Sequence, residues 1–302
     1  MKIVAHCFAE NASITPPKMD FEFKGFNANI LSMEDKLTLQ ISKVISSDEL
    51  LPFSEKITSS VETNGIVEDK LESRLRPYKL ILTEAAQLFE GLFSLVYATI
   101  PPHFDTGRIN VNLYSQTDEE QKMLDEGTIT RGGGYVLMLG KKKYKIDNSL
   151  YDLITPSLNH IPSFSFFSHA LRSLNSNDNE VAFFLFFRIL DGYFSFGAAA
   201  VKKELLKKET ELSRFIPYEP KLINSLKNIL TNMGLPSESE TDFKGLISDI
   251  VLIRHKLTHF SSAQAQAHHS PTIKFELLTV NTYLYNCCFN LLREKISPQE
   301  VL

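Results

Sequence analysis

Residues 254–259 read Arg-His-Lys-Leu-Thr-His, which puts one guanidinium, one ammonium and two imidazoles within six positions. These groups hold an anion and move a proton: the guanidinium fork matches phosphate or carboxylate oxygens, and an imidazole titrates near neutral pH. The setting of Arg254 sharpens the point. At about 100° per residue, Phe243, Leu246, Ile247, Ile250, Ile253 and Leu257 form one apolar stripe, and Arg254 falls inside it. An unpaired charge there costs several kcal/mol, so Arg254 requires either a carboxylate partner or a cleft that binds anions. Asp191 lies in a second apolar stripe, with Phe183, Phe187, Leu190 and Phe194, and is the expected partner. A purely structural ion pair that fixes helix register has the same sequence signature. His259 follows Arg254 by five positions, about 140° around a continuous helix. The two converge only if the helix ends near Ser261-Ser262 or a second chain contributes. Without that convergence, a histidine at a helix C-terminus makes only a favourable dipole contact.

The run from Arg254 to His259 resembles the R-x4-H motif of HEPN domains, in which a polar residue follows the arginine and three more precede the histidine. The context agrees: a long acid-bearing helix precedes the motif and one more helix follows it. The resemblance covers about residues 157–302 and is nearest to HEPN ribonucleases of bacterial phage-defence systems. It implies metal-independent RNA cleavage at a composite site of two subunits, in phage defence or a toxin-like stress response. Carried over, Arg254 holds the scissile phosphate, His259 moves the proton, and His255 fills the polar position beside the arginine. Lys256 adds to the positive patch, and Asp191 corresponds to the acid that orients Arg254. The nucleophile is the RNA 2′-hydroxyl, which leaves a 2′,3′-cyclic phosphate, so DNA is not expected as a substrate. The implied partners are RNA and a second copy of the chain, joined through the C-terminal bundle. Some HEPN domains keep the fold without the activity. A dimerising or scaffolding protein, or a nucleotide-binding bundle, is therefore the alternative.

Other constellations are weaker. His255 and His259 have metal-ligand spacing on a helix, but Lys256 stands where a zinc peptidase carries its glutamate. No metal or cofactor is expected. Gly132-Gly133-Gly134 to Gly140-Lys141-Lys142 imitates a phosphate loop but has the wrong spacing and lacks the Ser/Thr. His268-His269 lies in a polar loop, and Cys7, His6 and His103 have no partners at recognisable spacing.

The elements that carry these residues follow from periodicity. The chain has 302 residues, a length comfortable for two cores, and a formal net charge of -4, which argues against nonspecific nucleic-acid coating. No span-length apolar run and no signal peptide are apparent, and three cysteines make neither a disulfide framework nor a zinc pattern. The expectation is a cytoplasmic protein with no membrane partner. Residues 1–153 read as an α+β domain with a partly antiparallel sheet and one long helix, as a sensor or RNA-positioning domain. Met19 to Ile45 reads as a hairpin with a bulge at Gly25. Tyr78 to Thr99 reads as the long helix, stopped by Pro101-Pro102. Ile109 to Leu113 and Tyr135 to Leu139 read as strands, and Thr117 to Glu120 as a capping box. Residues 154–302 read as an all-α antiparallel bundle of about five helices. These are Ser163–Leu174, a long central Asn177–Lys208, Lys221–Met233, one capped by Ser237 and Glu240 that runs to about Phe260, and one opened by Ser270-Pro271.

Overall fold

Alternation builds the N-terminal sheet. Ile3, Ala5, Cys7 and Ala9 are buried along β1 (Lys2–Glu10), as are Met19 and Phe23 in β3 (Lys18–Phe23). Phe26, Ala28 and Ile30 do the same in β4 (Phe26–Met33), and Leu37, Leu39 and Ile41 in β5 (Lys36–Val44). With β6 (Asn110–Tyr114) these form a five-stranded antiparallel sheet of order β3-β4-β5-β1-β6. One row across it runs Phe21, Ala28, Ile41, Ala5, Val111. The computed structural model describes residues 1–10, 12–33, 36–46, 49, 70–107, 109–125, 142–145, 149–197, 199–258 and 271–297. The strand expected at Tyr135–Leu139 lies outside them, as do His268 and His269.

Gly25 is not a bulge. Lys24 and Gly25 both have positive φ (49° and 75°) and form the two-residue turn between β3 and β4, with Phe23 opposite Phe26. A parallel pair, β2 (Ala12–Thr15) with β7 (Lys142–Lys145), makes a second small sheet.

The long helix α1 (Lys70–Tyr97) begins a full two turns before the expected start at Tyr78, with Pro77 inside it. Its stretch Leu75–Tyr97 is long and apolar enough to cross a membrane, which the sequence reading did not anticipate, but most of it is buried within the protein. The capping box holds: Glu120 N–H donates to Thr117 Oγ1 (3.2 Å) at the start of α2 (Asp118–Asp125).

The chain divides into two compact units, Met1–Glu90 with Pro102–Asp152, and Gly91–Pro101 with Leu153–Leu302. The end of α1 therefore groups with the helical unit, although a single cut at 153/154 assigns it to the first. Gly91 shows why: a Cβ there would sit 2.1 Å from Phe164 Cβ, so the two backbones meet where only glycine fits.

The helical unit continues through α3 (Ser149–Ser157), a 3-10 turn at Leu158–His160, α4 (Ile161–Asn175) and α5 (Asn179–Leu190). Then come α6 (Val201–Lys207), α7 (Glu209–Leu212), α8 (Pro220–Asn232), α9 (Phe243–Thr258) and α10 (Pro271–Ile296). α5 packs against α4 and α10, α10 against α8, and α8 against α9. Phe167, Phe183, Phe186, Phe187, Leu284 and Cys287 fill the centre. Gly234, at φ 69°, ends α8 as expected, with Leu235 N–H reaching back to Leu230 O (2.8 Å).

Two expectations are corrected here. The helix expected over 177–208 is broken: after α5 the chain makes one π turn at Asp191–Ser195, then Phe196 and Gly197 take left-handed φ of 53° and 69° before α6 starts. An apolar period cannot reveal such a break, because a π turn inserts one residue while hydrophobic residues continue on either side. The cap of α9 is Asp242, whose Oδ1 accepts from Gly245 N–H (2.7 Å), and not the Ser237–Glu240 box.

Candidate functional site

A groove of about 890 Å³ runs between α6 and α9 in the helical unit. On α9, Lys244, Ser248, Val251 and His255 recur at helical spacing and form one wall. Ala199, Ala200, Lys203, Leu206 and Lys207 line the opposite side. The lining mixes apolar side chains with five cationic ones, Lys202, Lys203, Lys207, Lys244 and Arg254, against two carboxylates, Glu238 and Asp249. The local charge is thus opposite in sign to the chain's net -4.

Pro236 and Glu238 line the groove from a lip formed by residues 236–241, which α9 holds by two devices. Asp249, 1% exposed, accepts from Ser237 Oγ (2.6 Å), Glu238 N–H (3.0 Å) and Ser239 N–H (3.0 Å). One turn earlier, Gly245 lets the Glu238 carbonyl approach so closely that a Cβ would lie 1.9 Å from its oxygen. Thr241 Oγ1 adds a bond to the same carbonyl (2.7 Å). Glu238 is thereby fixed at the rim, where Lys202 Nζ lies 3.7 Å from its carboxylate.

The sequence posed two fates for Arg254. Among the described residues it forms no ion pair, and its half-buried guanidinium instead lies over the Phe187 ring, 5.7 Å from the centroid. A ring face attracts a cation but leaves the five N–H donors to find acceptors elsewhere. Arg254 lines the groove, and exposed His255 lines it beside the arginine. Thr258 Oγ1 closes the last turn onto the carbonyls of Arg254 (3.0 Å) and His255 (2.9 Å). Lys256 is half-buried in that turn and does not line the groove. His259 lies outside the described residues.

The pairing expected between Asp191 and Arg254 is not formed. Asp191 is 3% exposed and opens the π turn. Its Oδ2 receives Arg188 Nη1 at 3.5 Å and its Oδ1 receives the Ser195 hydroxyl, which also donates to the Asp191 carbonyl at 3.1 Å. Its partners lie three and four residues away, so the carboxylate stabilises its own turn.

The α6 lysines were not singled out from sequence, where they fall within the helix expected over 177–208. A signal was present: Lys203 and Lys207 are one turn apart and flank Leu206. Lys207 pairs with Glu204 (2.8 Å) and Lys244 with Glu209 (3.4 Å). Such exposed pairs contribute about 0–1 kcal/mol each, so an incoming anion displaces them at little cost. Among the described residues Lys203 has no ion-pair partner.

Chemically the groove suits an anion with an apolar body. Compared with known proteins, the chain matches no family model, no curated sequence and no solved structure. Its reading rests on its own residues.

Proposed function

We propose that this chain is a metal-independent endoribonuclease of the HEPN type, working in the cytoplasm as a homodimer joined through its helical unit. The observation that carries the reading is Arg254, set over Phe187 with no carboxylate partner among the described residues, at a lysine-lined groove. An arginine with open donors in a half-buried place is what a phosphate-binding site needs. In this reading Arg254 holds the scissile phosphate and stabilises the charge that grows on its oxygens. His259 takes the 2′-hydroxyl proton. The 2′-oxygen then attacks phosphorus, the 5′-oxygen leaves and is protonated, and a 2′,3′-cyclic phosphate remains. His255 adds a hydrogen bond to the phosphate, and the lysines hold the flanking backbone. The second subunit supplies the convergence that a five-residue spacing on one helix lacks.

Incubation of the purified chain with total RNA in EDTA tests this. Fragments with cyclic phosphate ends are expected, with activity that falls as salt rises. Arg254→Ala and His259→Ala should each reduce cleavage by at least about 100-fold, with melting barely altered for His259→Ala and lowered by no more than about 4 °C for Arg254→Ala. Mixing the two variants should restore part of the activity if the site spans two chains. RNA binding without cleavage, unchanged by His259→Ala, would instead mark a non-catalytic scaffold. Activity lost to chelation and restored by a divalent ion would replace the mechanism with a metal-assisted one.

A further inference from the structure

Phe196 is 81% exposed, more than any other large apolar residue described, and its backbone holds φ at 53°. Both features are unfavourable: an aromatic ring in water forgoes burial, and a side chain in the left-handed region meets its own carbonyl. Glycine at this position would remove both costs, and glycine is indeed the next residue. The ring is not left out by accident of a loose loop. The turn that precedes it is fixed by Asp191, Arg188 and Ser195, and Phe194 and Ser195 just before it are buried. Among the described residues no ring stacks on Phe196 and no cation lies over it.

Its position relates it to the groove. Ala199, three residues on, is the first lining residue of α6's side, so the chain separates Phe196 from the groove by at most about 11 Å. Between the ring and Lys203 the side chains are small, apart from Val201 and Lys202. A flat group lying on the ring would carry an attached anion within a few residues of Lys203 and Lys207. A flat group linked to a chain of anions is a nucleotide of a single strand.

We infer that Phe196 is a nucleobase-stacking platform that positions single-stranded RNA as it enters the groove between α6 and α9. The inference rests on the reading of that groove as an RNA site and assigns a role to a residue outside it. Stacking is tolerant of base identity, so the platform sets where the strand sits and not which sequence is taken.

The test uses the full chain and two fluorescent oligomers of equal length: 2′-O-methyl RNA, which cannot be cut through its 2′-oxygen, and an abasic strand. Wild type should bind the first more tightly, and Phe196→Ala should weaken that binding by about tenfold, within the range of single-base stacking. Phe196→Ala should change affinity for the abasic strand by less than about twofold, and Phe196→Tyr should retain wild-type affinity. A 2-aminopurine placed in the oligomer should be quenched by wild type and not by Phe196→Ala. Phe196→Gly should raise the melting temperature, by releasing the backbone, and still lose binding. That variant keeps the test decisive if Phe196→Ala folds poorly. Equal losses on both oligomers, or none on either while Lys203→Ala weakens both, would overturn the platform and leave the groove reading intact. No binding of either oligomer by wild type would overturn the groove reading, and the platform with it.

Discussion

Asp249→Ala probes how the groove is built. The carboxylate is buried, has no cationic partner among the described residues, and is satisfied by three donors from the lip, Ser237 Oγ, Glu238 N–H and Ser239 N–H. Hydrogen bonds to a charged group contribute roughly 1.5–3 kcal/mol each. Three of them set a ceiling of about 5–9 kcal/mol, and two effects lower it. Removing the carboxylate also removes the cost of burying it. The Ser237 hydroxyl keeps Ser239 Oγ at 2.9 Å, and Glu238 is exposed enough for its N–H to find water. Ser239 is fully buried, so its N–H alone is stranded. A net loss of about 3 kcal/mol follows, or roughly 6–12 °C in the melting transition of the helical unit. Asp249→Asn keeps one acceptor oxygen and should lose about half as much. Hydrogen exchange gives the local readout: the amides of Glu238 and Ser239 should lose protection in Asp249→Ala while those of α8 and α10 keep theirs. A melting temperature within about 1 °C of wild type (a few tenths of a kcal/mol), with unchanged exchange at the lip, would refute the claim that this carboxylate holds the wall.

Other outcomes follow from the same geometry. In double-mutant cycles Asp191 and Ser195 should couple by about 1 kcal/mol or more, whereas Asp191 and Arg254 should be additive within about 0.5 kcal/mol. Gly245→Ala should cost about 1–3 kcal/mol, because its methyl group meets the Glu238 carbonyl and the lip must move, seen as faster proteolysis there. Burial, and secondarily Lys295, holds the His160 imidazole below its ordinary value, with Tyr193 O–H 2.7 Å from Nδ1. The stability of that neutral state is fully present above about pH 6.5 and is lost as pH falls from there through the folded value, since the unfolded chain takes the proton first. Melting curves from pH 8 to 5 should therefore fall less steeply for His160→Gln than for wild type.

How much of this was legible depended on the range of each interaction. Strands β5 and β6 and helices α4, α8 and α10 were readable because period and local stop signals suffice: Gly234 after α8, Pro271 at the start of α10. β3 and β4 instead read as one bulged strand, because the Lys24-Gly25 turn leaves only a phase shift in a single alternation. β1 was missed although it pairs with both β5 and β6, because its inward residues include Ala5, Cys7 and Ala9, small side chains with little strand preference. The groove half on α9 was legible through one misfit charge, Arg254, in an apolar stripe. The other half was not. Lys203 and Lys207 acquire meaning only once the helix breaks at Phe196-Gly197 and α6 packs against α9, a tertiary fact with no local signature. The partner assigned to Arg254 failed for a related reason. Two embedded charges of opposite sign suggest each other, but Arg188 and Ser195, within four residues of Asp191, satisfied the acid first.

That local satisfaction gives Asp191 a different importance. Had α5 run straight on, Lys203 would stand about 18 Å along the axis beyond Asp191, and α9 would face solvent where α6 now lies. The π turn adds a residue, and the left-handed pair at 196 and 197 then ends the helix before α6 starts. The buried carboxylate anchors the start of the π turn and is tied to the Ser195 hydroxyl at its end. Asp191 thus positions the groove by bending the backbone and not by touching Arg254. The consequence for mutagenesis is a particular dissociation. Ser195→Ala leaves every groove side chain in place, yet by loosening the turn it should weaken anion binding together with melting temperature. Arg254→Ala should weaken binding with little change in melting, because the cation–π contact it loses is worth only about 0.5–1 kcal/mol at a partly exposed site. If Ser195→Ala instead melts lower but binds anions as wild type does, the groove keeps its shape without this anchor and Asp191 is structural alone.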